Sequence, residues 1–382
     1  MMIDARALID AAERETGLSD WGEPEWRDGL ERLCASANRE AGLDDGRAAS
    51  LAAQIDKQLV KRLRLYADRA HYPEIAQQTI AAPIFVVGFP RSGTTILHGL
   101  LAADPRARSP LSWEVEAPSP PPQAGTAKHD PRIAATQARI DALPARFRAM
   151  HAAAADLPEE DNSIMQMAFR SLNFAASRPL PSYDRWLFAC DMRPAFALHR
   201  HTLQHLQAFH ARDWWVLKAP PHLFCLEDLF GTYPDARVIF THRDPASIMA
   251  SNASLISFIH EMAGNPVDTR ALGQSETAKW RRGMERAMAF RAARPDLADR
   301  FHDCAFVDFV ADPVGTVAAL YARMDIELPD ATRRIMEDFM AANRADKHGT
   351  HDYSAADFGL APARVRAEFA DYIDHFHVQC SG

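Results

Sequence analysis

One thirteen-residue stretch, PIFVVGFPRSGTT from Pro83 to Thr95, limits what this chain can be. The apolar run Ile84–Val87 has the length of a buried strand. It meets a loop holding two glycines and a proline, and helix-compatible residues follow from Thr94. A glycine-rich turn that ends a strand and opens a helix presents unpaired backbone N–H groups and the positive end of the helix dipole to an anion. The spacing Gly88-x4-Gly93-Thr94-Thr95 is the frame of a nucleotide triphosphatase loop. However, the lysine such a loop carries directly after its second glycine is replaced by Thr94, and the loop's cation is Arg91. Ser92, Thr94 and Thr95 add hydroxyl donors. The stretch therefore implies a phosphate-type ligand handled without the usual lysine.

The rest of the composition narrows the class. With 51 acidic against 43 basic residues, the net charge of −8 argues against a general nucleic-acid binder. The five cysteines (Cys34, Cys190, Cys225, Cys304, Cys380) make no CxxC or Cys/His pattern, so neither a disulfide framework nor a structural zinc is expected. The N-terminus lacks the apolar core of a secretory signal, and no apolar run reaches the roughly eighteen residues that span a bilayer. A cytoplasmic protein without a membrane span is the expectation.

Residues 1–80 read as a helical arm. Trp26, Leu30, Leu33 and Cys34 share one face, as do Leu51, Ile55, Leu59, Leu63 and Tyr66. The arm is a candidate for homodimer contacts. Residues 81–382 read as an α/β unit. After the loop helix, which ends before Pro105, LSWEVEAPSPPPQAG is too proline-rich for regular helix or central strand. A largely helical insert, about 131–209, follows. WWVLKAPPHLFCLEDLFGTYPDARVIFTHRDP then reads as a parallel strand–helix–strand, with strands Trp214–Leu217 and Arg237–Thr241 and a helix from His222 to Tyr233. CAFVDFVADP suggests an edge strand and a turn before another helix. The predicted fold is a three-layer α/β/α sandwich with a parallel sheet, an N-terminal arm and a helical insert.

PRSGTT at 90–95, LKAPPH at 217–222, RVIFTHRDPASIMASNASL at 237–255, VDFVADP at 307–313 and KHGTHDYSAADFGL at 347–360 resemble the sulfotransferases that use 3′-phosphoadenosine-5′-phosphosulfate (PAPS), especially their large bacterial branch. The resemblance runs from Pro83 to about Leu360. It implies that Arg91, Ser92, Gly93, Thr94 and Thr95 hold the 5′-phosphosulfate, with Arg91 stabilising the departing phosphate. It implies that Arg243, which ends a strand, and Ser251, eight residues on, hold the 3′-phosphate. An arginine fork and a hydroxyl suit such an anion chemically. Phe306 stands where relatives place a tyrosine beside the nucleotide, and Lys347 and His348 fall in a basic loop that closes over it.

Two residues are candidates for the general base. Glu114 lies past the loop helix, where some relatives carry a catalytic glutamate. His222 lies four residues after Lys218, in place of a Lys-x-His. Glu114 is the favoured base, Lys218 belongs near the bridging phosphate, and His222 is an acceptor contact or the alternative base. The acidic run DLPEED, residues 156–161, reads as a solvated loop or a helix start rather than as a base. The implied partners are PAPS, leaving as adenosine 3′,5′-bisphosphate (PAP), and a small apolar alcohol or phenol; no metal is called for. Rival readings are a P-loop kinase or NTPase, with Asp244 as the magnesium ligand, and a non-catalytic nucleotide-binding protein.

Overall fold

The computed structural model describes residues 2–150, 153–343 and 354–380. Five parallel strands form one sheet: β1 (Ile84–Gly88), β2 (Ala107–Arg108), β3 (Trp214–Lys218), β4 (Arg237–His242) and β5 (Phe301–Ala305). Their order is β2-β3-β1-β4-β5. β1 is central and pairs with β3 on one side and β4 on the other, Ile84 lying level with Val216 and Arg237. The chain leaves β1 toward one edge and returns to build the other. The C-terminal end of β1 is thus a switch point, where open α/β sheets bind their ligands.

The alternation of a pleated strand splits the core in two. Ile84 and Val86, with Val216 and Ile239, pack on Leu97, Leu100 and Leu101 of the loop helix (Thr94–Ala102) and on Val317, Leu320 and Tyr321 of the helix Pro313–Arg323. Phe85 and Val87 face the opposite layer, built from the N-terminal residues, the insert and the helices that follow. The expected three-layer parallel fold is borne out. The arm is no appendage: Trp26, Leu30, Leu33, Leu51, Ile55, Leu59 and Leu63 are buried in the same core as Phe85.

Three local expectations change. Ser112–Glu116 forms a short helix inside the proline-rich segment, because its prolines begin only at Pro118. His222 lies in a 3-10 turn, Pro220–Phe224, ahead of the helix Leu226–Thr232, since the paired prolines favour a tight entry. The edge strand is FHDCA (β5); the FVDFVA that follows it, Phe306–Ala311, is helical. A β-branched and aromatic run misleads there, since Phe309 alone is buried and Val307 and Val310 face solvent.

Candidate active site

Four strand ends converge. The loop after β1 turns through Arg91 at φ 63° and Gly93 at φ 87°, both in the left-handed region. Gly93 caps the loop helix without any side-chain hydrogen bond, so the first-turn N–H groups stay open to an anion. A Cβ on Gly93 would stand 2.8 Å from the Phe306 ring, and one on Gly88 would stand 2.1 Å from Thr241 Oγ1, so the cradle tolerates no side chain at either place. An arginine in the left-handed region stores strain of about 1–3 kcal/mol that its surroundings must hold. Here Arg243, just past β4, donates from Nη1 to the Arg91 carbonyl at 2.7 Å.

The two guanidinium groups are tied to one another's surroundings. Arg91 Nε donates to Ser251 Oγ at 3.1 Å. The Arg243 guanidinium lies over the Phe306 ring, 4.1 Å from its centre. Arg91, Arg243, Ser251, Gly93 and Phe306 thus form one cluster with two cations flanking the loop. Such a cluster can hold two anionic groups of a single ligand.

At the end of β3, Lys218 is nearly fully buried, with Nζ 3.4 Å from Thr95 Oγ1 and in contact with Glu160 Oε1. The next residue, Asp161, is completely buried and meets two imidazoles. His222 Nε2 donates to Asp161 Oδ2 at 2.7 Å. His199 Nε2 lies 3.0 Å from the same oxygen, without hydrogen-bond alignment. Burial alone would raise the Asp161 pKa, but the two imidazoles outweigh it and hold the carboxyl well below its ordinary range. Burial pushes the His199 pKa down, and burial keeps Tyr233 a protonated phenol, 2.8 Å from His199 Nδ1.

With the Nε2 proton of His222 directed at the carboxylate, Nδ1 carries the lone pair. That atom is buried and has no hydrogen-bond partner among the described residues. His222 lines a narrow cleft of about 30 Å³, whose mostly apolar walls include Met165, Leu172, Leu187, Phe188, Met192 and Phe224, with Asn162, Arg170, Asp228 and Arg286 at the same cleft. A positioned basic nitrogen beside an apolar cleft can take a proton from a bound hydroxyl.

Comparisons with known proteins give the family of the chain. The model of the sulfotransferase family matches residues 83–330, more than half of the chain. The chain belongs to the sulfotransferase family. The crystal structure of sulfotransferase STF1 from Mycobacterium tuberculosis H37Rv is similar over 97% of this chain and 99% of that one, with 33% identity and a TM-score of 0.84. Sulfotransferase STF9 from Mycobacterium avium aligns over 100% and 98% of the two chains, at 28% identity and a TM-score of 0.90. The omega-hydroxy-beta-dihydromenaquinone-9 sulfotransferase Stf3 of Mycobacterium bovis is 26% identical over 264 residues. That alignment covers 66% of this chain and 65% of Stf3, a little under two thirds of the curated relative.

Several predicted site residues of this sulfotransferase stand elsewhere than expected. Glu114 is completely buried, and both its oxygens are taken by Arg108, at 2.6 and 3.0 Å. It also accepts from Leu111 N–H at 3.0 Å, so the structure makes it part of an ion pair rather than a base facing the loop. Ser92 turns its hydroxyl inward, donating to the Phe89 carbonyl at 2.6 Å and lying 2.7 Å from Thr241 Oγ1, which stitches the loop to β4. The acidic run starts a 3-10 helix, Asp161–Ala168, as one of its two readings had it; Asp156 is exposed, but Glu160 reaches Lys218 and Asp161 lies in the core. Alternating charge and proline made that run look exposed; its last carboxylate, Asp161, falls inside and Glu160 is half-buried because buried Lys218 and His222 need partners. Asp244, the rival magnesium ligand, is bound by Arg366 at 2.8 Å. Lys347 and His348 lie outside the described residues.

Proposed function

We propose that this protein transfers the sulfuryl group of PAPS to the hydroxyl of a small, apolar, lipid-like alcohol or phenol. The observation that carries the reading is the clustering of Arg91 and Arg243 on the loop after β1, joined through the Arg91 carbonyl. PAPS has two separated anionic groups, and the cradle fits both: Gly93 leaves the helix N-terminus bare, and Arg243 and Ser251 stand beside it. When bound, the donor supplies the sulfuryl group and an adenosine bisphosphate leaving group.

Arg91, Thr94, Thr95 and the N–H groups of Ser92 and Gly93 would hold the phosphosulfate, while Arg243 and Ser251 would hold the 3′-phosphate. Arg91 and Lys218 keep positive charge beside the loop, where charge on a departing phosphate gathers in a loose in-line transfer. His222 Nδ1 takes the acceptor's hydroxyl proton, and Asp161 stabilises the charge this creates on the imidazole. Glu160 holds Lys218 in place. The Met165, Leu187, Phe188, Met192 and Phe224 side chains beside His222 support an acceptor with a hydrocarbon body, whose entry requires this narrow cleft to widen, and the Mycobacterium bovis relative is itself named for an omega-hydroxylated menaquinone.

Calorimetric titration with PAP, and in parallel with ATP and magnesium, tests the donor. Tight PAP binding without ATP binding supports the reading, and radiolabelled PAPS with a panel of long-chain alcohols then gives turnover. ATP binding without PAP binding makes this a kinase-like protein instead. PAP binding with no transfer to any alcohol or phenol leaves only a nucleotide-binding protein.

A further inference from the structure

The last described helices, Pro362–Glu368 and Ala370–Phe376, lie beyond the segment that the family model matches. They bury Val365, Phe369 and Tyr372 against the main body. Three of their side chains also reach the nucleotide-side loops. Arg366 forks onto Asp244, Nε to Oδ1 at 3.2 Å and Nη2 to Oδ2 at 2.8 Å. Asp244 in turn caps the helix Pro245–Met262 by accepting from Ala246 N–H at 3.0 Å. The Tyr372 hydroxyl accepts from Arg243 N–H at 3.2 Å and lies 3.4 Å from the Arg243 carbonyl. The Phe369 and Tyr372 rings stand edge-on to Phe89 in the loop after β1.

These contacts hold the Arg243–Asp244 backbone from outside the sheet. A long arginine side chain recognises an anion well only when the loss of its rotamer freedom has been met in advance. Here the Arg243 backbone is held by Tyr372, its neighbour Asp244 by the Arg366 fork, and its guanidinium lies on Phe306 and reaches the Arg91 carbonyl. We propose that Arg366 and Tyr372 are positioning residues of the donor site, aiming Arg243 at the 3′-phosphate of the nucleotide. The assignment rests on the reading of the preceding subsection. Arg366 is partly open to solvent but Asp244 is buried, so removing the arginine costs some stability as well as the geometry of the fork. What a two-pronged fork adds is a fixed geometry.

The experiment is calorimetric titration of wild type, Arg366→Met, Arg366→Lys and Tyr372→Phe with PAP and with adenosine 5′-phosphate, alongside thermal unfolding and initial rates. Arg366→Met should weaken PAP at least about tenfold, the worth of one charge-assisted contact. Adenosine 5′-phosphate should bind nearly as to wild type, KM for the donor should rise more than kcat falls, and the unfolding midpoint should fall modestly, a loss that a merely structural role would spread equally over both nucleotides. Arg366→Lys restores the charge without the fork and should recover only part of the loss; Tyr372→Phe should show the same selectivity on a smaller scale. Wild-type PAP affinity in Arg366→Met overturns the proposal, as does an equal loss for both nucleotides. Failure of the wild type to bind PAP overturns the donor reading and this assignment with it.

Discussion

Glu114 and Asp161 are both completely buried carboxylates beside cationic or imidazole partners, yet the structure uses them differently. Glu114 is closed: Arg108 takes both oxygens, while Arg108 also donates to the carbonyls of Leu206 and His210 and lies over the Trp215 ring. Nothing in that pair is left to react. Asp161 is open: among the described residues its Oδ1 and the Nδ1 of the imidazole it orients have no hydrogen-bond partner, and that imidazole's residue lines a cleft. An acid whose hydrogen-bonding capacity is spent holds structure together. A neighbour with unspent capacity is free to do chemistry.

The contrast breaks most readily at His222. His222→Asn should lower turnover by about 10³, within the range a positioned general base contributes. PAP affinity should stay near that of wild type; the shorter Asn does not reach Asp161 as Nε2 does, so the unfolding temperature falls and turnover is scored per folded molecule. Near-normal turnover removes His222 from the chemistry.

The closed pair gives the opposite signature. Glu114→Ala strands a buried guanidinium and should cost about 3–5 kcal/mol of stability. Urea unfolding measures that loss, and turnover per folded molecule should be kept. A collapse of turnover at unchanged stability would restore Glu114 as the base and invert the comparison.

How far these roles were legible in the sequence depends on whether they are local. The loop, Lys218 and the Arg243–Ser251 pair are set by residues that follow one strand directly, so motif spacing finds them. The layers were legible for the same reason: Phe85 and Val87 alternate with Ile84 and Val86. The Asp161–His222 contact joins residues 61 apart, and Arg366–Asp244 joins residues 122 apart. Only the tertiary fold decides which acid reaches which base across such distances. Glu114 and Glu160 are equally plausible by composition. What separates them is Arg108 on the two-residue strand β2, an element too short to show in any periodicity. The one signal for the acidic run was chemical: two bases, Lys218 and His222, four residues apart on a buried strand end, matched by two adjacent acids, Glu160 and Asp161.

Glu160 sharpens the comparison, because it is the partly exposed acid of that pair. Glu160→Gln keeps the shape but removes the charge facing Lys218, and should reduce kcat about tenfold, equivalent to one charge-assisted contact. Stability should hardly change. A loss near 10³ here with a mild His222→Asn would hand the base to Glu160 and leave the imidazole as an acceptor contact.

The smallest effect concerns acid. Folding depresses the Asp161 pKa below its ordinary 3.8, so the folded protein keeps this carboxylate ionised where the unfolded chain takes up a proton. Its contribution to stability is therefore complete above about pH 4 and shrinks as pH falls below that value toward the depressed folded pKa. Thermal unfolding between pH 5 and pH 2.5 should show a falling midpoint in wild type, and a flatter acid limb in Asp161→Asn, whose amide does not titrate. The Asn variant starts from a lower stability, so the readout is the slope and not the midpoint at any one pH. Equal slopes would mean that the carboxylate is no more acidic in the fold than in the chain, so that His222 and His199 do no more than offset the cost of burying Asp161.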